Sequence, residues 1–106
     1  MSRKTIQDIQ ANLGNEKITC LTAYTAPIAR LLDQYVDILL VGDSLGMVLY
    51  EYENTLPVTL DQMIEHTKSV IKATSTSCVI MDLPFGTYEE SKQLALKNAL
   101  RSIKET

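Results

Sequence analysis

Asp43 and Asp82 are the residues whose type and placement could do chemistry. Asp43 closes the apolar run VDILLVG, and Asp82 follows SCVIM. If the two runs are neighbouring parallel strands, both carboxylates meet at the same rim, because consecutive parallel strands usually lie side by side. Oxygen donors of this kind suit a hard divalent cation such as Mg2+, which keeps several waters and often takes an oxygen from its substrate. Ser44 follows Asp43 directly and could hydrogen-bond a bound carboxylate or phosphate. Gly42 and Gly46 would let the backbone approach a ligand closely. A plainer reading stays open at this point: Asp often caps the loop that follows a strand.

The stretch LLVGDSLGM also contains Gly-Asp-Ser-Leu, which invites a hydrolase reading with Ser44 as nucleophile. A serine nucleophile needs a base, usually His, held by an acid. Hydrolases with that signature place the serine after the first strand and supply a late Asp-x-x-His. Here a complete strand–helix unit precedes Ser44. The single histidine, His66, falls inside a predicted helix three residues after Met63, as a solvated or boundary residue. The tetrapeptide is therefore read as coincidence. Tyr24, Tyr50, Tyr52 and Tyr88 lie near strand ends or in the long loop, where packing is the favoured role and pocket lining the other. Glu51 and Glu53 read as solvated loop charges. Cys20 and Cys78 read as buried, reduced thiols, neither with a second Cys or His at metal-ligand spacing.

The elements that must position these residues alternate. KITCLTAY (17–24), VDILLVGD (36–43) and SCVIMDLP (77–84) have strand length and read as continuous apolar runs, the habit of parallel strands buried on both faces. Thr25 caps a predicted helix with Pro27 in its first turn and Ile28, Leu31, Leu32 and Tyr35 on one face. Thr59 and Gln62 have capping-box spacing ahead of Met63, Ile64, Thr67, Val70 and Ile71. Thr87 and Glu90 repeat it before a helix over 89–106 bearing Leu94, Leu96, Leu100 and Ile103. A short leading helix is expected over 5–13. The order, one helix and then strand–helix three times, predicts an α/β fold with right-handed crossovers and a parallel sheet. Its one long connection, LGMVLYEYENTLPV, lies at the carboxyl ends of the strands, where such folds bind ligands.

The bulk properties fit one small domain. The chain has 106 residues, 45% of them hydrophobic, and a net charge of −3. That charge opposes non-specific nucleic-acid binding, which needs a basic surface to displace counterions. No apolar run approaches the roughly 18–20 residues of a membrane span, and MSRKTIQDIQ lacks the apolar stretch of a secretory signal. A cytoplasmic location is expected.

Four blocks in order, KITCLTAYTAPIARLLD, DILLVGDSLGMV, TLPVTLDQMIEHTKSV and VIMDLPFGTYEES, resemble ketopantoate hydroxymethyltransferase. The resemblance runs from about Thr5 to the last residue. It implies a (β/α)8 (TIM) barrel of which this chain holds the first three β/α units, with the barrel incomplete. It also implies an Mg2+-dependent transfer of a hydroxymethyl group from 5,10-methylenetetrahydrofolate to 3-methyl-2-oxobutanoate, in pantothenate biosynthesis, by large homo-oligomers. In the family the Asp-Ser of the VGDSLGM block contacts the oxo acid and its Asp faces the metal, which matches Asp43 and Ser44. The Asp of D-x-P-F-G belongs to the metal and substrate site and matches Asp82.

Two positions depart from the family pattern. Thr25 stands where Asp is frequent, and Glu51 where Gly is frequent. The family's substrate-contacting Lys, its further metal-ligating Glu and its catalytic Glu all belong to later strands than the three read here. The 106 residues alone are therefore expected to be inactive. Three alternatives are a small α/β binding domain, a non-catalytic remnant that folds with a partner, and the serine hydrolase.

Overall fold

Parallel pairing dominates the computed structural model, which describes residues 2–106. The elements run α1 (Ile6–Ala11), β1 (Cys20–Thr22), α2 (Ala26–Leu32), β2 (Ile38–Val41), α3 (Leu45–Tyr50), α4 (Leu60–Ala73), β3 (Cys78–Met81) and α5 (Lys92–Glu105). The sheet order is β1-β2-β3, with both pairs parallel. The α/β alternation read from the sequence is thus present, as three parallel strands in one open sheet. Each strand is shorter than its apolar run, because pairing ends where the chain turns out at the rim.

Burial is one-sided. Leu39 and Val41 of β2 are fully buried and pack with Met63 and Val70 of α4, Leu45 of α3 and Ala29 of α2. The expectation that all three strands are buried on both faces fails: Cys20, Leu21 and Thr22 of β1 are all exposed, Ile80 of β3 is exposed, and β2 alternates between buried and half-buried residues. No strand pairs with the outer side of β1 or β3 among the described residues. Cys20 is consequently exposed, against the reading of two buried thiols, whereas Cys78 is buried. The register aligns Cys20 with Ile38 and Ile38 with Cys78. The two thiols are therefore two strand spacings apart, about 9–10 Å, beyond the reach of a disulfide.

Helix starts follow local hydrogen bonding, and α4 shows the expected one. The Thr59 side chain accepts from the Gln62 N–H, and the Gln62 side chain accepts from the Thr59 N–H. The predicted box at Thr87 and Glu90 does not form. The Thr87 hydroxyl donates instead to the Pro84 carbonyl within the turn after β3, and Ser91 caps α5 by accepting from the Leu94 N–H. Thr25 occupies the cap position of α2 without a side-chain bond. Pro27 removes one of the N–H groups such a cap would hold. Of the predicted apolar face, Ile28, Leu31 and, just past α2, Tyr35 are exposed, while Leu32 packs partly buried against the core and the buried residue of α2 is Ala29. Leu96, Leu100 and Ile103 of α5 are likewise exposed.

The long connection holds a helix the sequence pattern did not show. In α3, Leu45 is fully buried and anchors the turn, and Gly46 is buried against the segment that follows. The helix closes on Glu51, whose φ of 58° and ψ of 29° are left-handed. A side chain is strained there by roughly 1 kcal/mol, while glycine is not. Glu51→Gly is therefore expected to raise stability by about 0.5 kcal/mol at most, the relief being partly cancelled by the greater freedom of glycine in the unfolded chain. Urea unfolding checks this, with a shifted midpoint and an unchanged slope.

Candidate functional site

Three strand ends meet at one rim. Beyond β1 the chain presents Tyr24, beyond β2 it presents Asp43 and Ser44, and beyond β3 it presents Asp82. The register pairs Val41 with Met81, which sets Gly42 beside Asp82. One Asp82 carboxylate oxygen accepts from the Asp43 N–H at 3.1 Å, so the two acids are held together by the backbone of one and the side chain of the other. A Cβ placed on Gly42 would lie 3.2 Å from Ser44 Oγ and 3.4 Å from Asp82 Oδ2. Gly42 therefore leaves open a space flanked by a hydroxyl and a carboxylate. Gly46 has a different role from the one expected of it: a Cβ there would collide with Val58 and Tyr52, so it serves packing and not ligand approach.

The electrostatics of the pair fit a hard cation. Burial, and then the neighbouring charge of Asp82, raise the Asp43 carboxyl above the usual carboxylate range. Two close carboxylates gain from a divalent cation between them. No third His, Cys, Asp or Glu joins them to form a metal-binding cluster among the described residues. Asp43 and Asp82 thus fit the oxygen-donor chemistry of Mg2+ as part of a ligand set.

Ser44 stands at the N-cap of α3 but does not cap it. Its backbone is helical, with φ −56° and ψ −14°, and its side chain makes no cap bond. Its Oγ lies 2.7 Å from the Tyr24 hydroxyl instead. His66 of α4 fastens the same corner. Its Nδ1 is 2.7 Å from the Tyr24 carbonyl, which can only accept, so Nδ1 carries a proton. In the neutral ring Nε2 then accepts from the Tyr50 hydroxyl at 2.6 Å. Tyr50 packs edge-on to His66 and beside Tyr52, whose hydroxyl accepts from Gln62.

These contacts decide against the serine hydrolase. Both nitrogens of His66 are engaged elsewhere, and the partner of Ser44 is a phenol. His66 is a boundary residue, as expected, but a hydrogen-bonded one. The site residue that the sequence reading left among packing tyrosines is Tyr24. Its place just past a strand, like those of Asp43 and Asp82, was the available signal. An apolar cavity of about 290 Å³ lies elsewhere, between α4, β3 and α5, and includes none of the rim residues.

The sequence profile of ketopantoate hydroxymethyltransferase matches residues 3–106. The chain belongs to this family. A 3-methyl-2-oxobutanoate hydroxymethyltransferase of Brucella canis is 59% identical over 104 residues, which are 98% of this chain and 38% of that protein. Proteins of the same name from Agrobacterium fabrum and Rhizobium etli are 58% and 56% identical over 104 residues, covering 37% and 38% of their lengths. The chain therefore spans less than two-fifths of the hydroxymethyltransferases it matches. No helix among the described residues is long and apolar enough to cross a membrane.

Proposed function

We propose that Asp43, Ser44 and Asp82 form the oxo-acid and metal side of a hydroxymethyltransferase site. The reaction is transfer of a hydroxymethyl group from 5,10-methylenetetrahydrofolate to 3-methyl-2-oxobutanoate, giving 2-dehydropantoate in pantothenate biosynthesis. The observation that carries the proposal is the Asp43–Asp82 pair, joined through the Asp43 N–H at the carboxyl ends of adjacent parallel strands.

The substrate carbon beside the ketone must lose a proton, and the resulting anion is costly in water. Mg2+, when bound, supplies the positive charge that stabilises such an enolate. Asp43 and Asp82 hold the cation through their oxygens, Ser44 orients the anionic substrate, and Gly42 keeps the space between them clear. None of the three is placed to act as the base, so this chain is expected to bind the oxo acid without turning it over. The same proposal reads β1 to β3 with their helices as the first three units of a (β/α)8 barrel, cytoplasmic and homo-oligomeric when whole. The parallel order and the shared rim support the barrel part of that reading, as does the share of the relatives that the match covers.

Ligand-observed NMR with 3-methyl-2-oxobutanoate tests the proposal. Binding is expected to require Mg2+, to weaken at least tenfold in Asp82→Asn, and to leave deuterium exchange beside the ketone at the buffer rate. Binding that ignores both Mg2+ and Asp82→Asn would overturn it.

A further inference from the structure

Ser44 is used in an unusual way for a serine at a helix start. A serine there normally turns its oxygen onto the N–H groups of the first turn. Here that bond is absent, and the hydroxyl faces Tyr24. We infer that Tyr24 is a positioning residue that fixes the Ser44 hydroxyl as a donor toward an anionic oxygen of the ligand. The inference rests on the oxo-acid reading of the rim.

Either hydroxyl can donate in the Tyr24–Ser44 bond. A phenol is a better proton donor than an aliphatic hydroxyl, which favours Tyr24 as donor and the Ser44 oxygen as acceptor. The serine proton is then left over, and among the described residues no other group bonds this hydroxyl. A hydroxyl that is already accepting becomes a stronger donor, because successive hydrogen bonds polarise one another. The result is a relay from Tyr24 through Ser44 to the ligand.

A donor at this position matters because the rest of the rim is acidic. An incoming carboxylate meets Asp43 and Asp82, and Asp82 Oδ2 flanks Gly42 together with Ser44 Oγ. Without Tyr24 the Ser44 side chain would be free to change rotamer, and the ligand would lose a donor held in one place. Tyr24 is itself held firmly. Its ring is half-buried against the core cluster, and its carbonyl accepts from His66, whose other nitrogen is bonded by Tyr50.

Tyr24→Phe keeps the ring and deletes the hydroxyl. Three readouts test the inference on the 106-residue chain. In the wild type the Ser44 χ1 angle, read from three-bond couplings, is expected in one rotamer, and in Tyr24→Phe averaged, with the unfolding midpoint little changed. The dissociation constant for 3-methyl-2-oxobutanoate with Mg2+ is expected to rise about tenfold, while that for Mg2+ alone stays put. In a Ser44→Ala background, Tyr24→Phe is expected to add nothing. A Ser44 rotamer that stays fixed in Tyr24→Phe would overturn the inference, as would a Tyr24→Phe effect of equal size without the serine hydroxyl. The rotamer readout needs no ligand. Failure of the oxo-acid reading, seen as indifference to Asp82→Asn, is thus distinct from failure of the Tyr24 role.

Discussion

Asp33→Ala is expected to destabilise the chain by about 3 kcal/mol, because it strips the acceptor from three backbone donors at once. Asp33 ends α2 and is buried. Its carboxylate accepts from the N–H groups of Ser75, Thr76 and Ser77 in the turn between α4 and β3. The Thr76 and Ser77 hydroxyls donate back to the Asp33 carbonyl. Burial alone would raise its pKa, but the N–H donors of Ser75 and Ser77, with Thr76, outweigh burial and hold it at about 2. The folded value lies below the roughly 3.9 of an unfolded Asp, so the stabilisation is fully present above about pH 4. It is lost as the pH falls through 2, a loss of about 2 kcal/mol from this group. Urea midpoints between pH 5 and pH 2 check both parts. The wild type should lose most of its advantage over Asp33→Ala across that window, and a constant gap would contradict the assignment.

Gly46→Ala is expected to cost about 2 kcal/mol although alanine is the better helix former. Helix propensity favours the change by about 1 kcal/mol. The new Cβ, however, would stand 2.4 Å from Val58 Cγ2 and 2.9 Å from Tyr52 Cδ2. Val58 is buried and branched at Cβ, so it cannot swing away cheaply, and overpacking of this kind costs about 1–3 kcal/mol or more. Steric overlap wins. Removing the obstacle gives the decisive comparison: Gly46→Ala should be markedly less harmful when made together with Val58→Ala. Equal costs in both backgrounds would mean that the close approach of α3 to Val58 is not what glycine protects.

Local signals in the sequence were legible where the chain obeys them alone. Thr59 and Gln62 announced α4 because both partners of a capping box lie within one turn. The strand order followed from alternation, and the rim position of Asp43 and Asp82 followed from strand ends. Long-range partnerships were not legible. Asp33 reaches residues more than 40 positions away, and Tyr24 meets Ser44 across 20. Helix α3 was hidden because a six-residue apolar run containing glycine carries no helical period. The exposed face of α2 exposes a further limit. Ile28, Leu31 and Tyr35 do share an apolar stripe, but periodicity states only that a stripe exists, not what covers it.

The bare edges of the sheet have a consequence for handling the protein. Soluble sheets usually guard an edge with lysine, proline or a bulge. The edge strands here read CLT and CVIM, with no charge and no proline, and Leu21 and Ile80 are exposed on them. An unguarded edge accepts any extended segment that fits its backbone, another copy of the chain included. Concentration is thus expected to join temperature and pH as a variable of its folded state.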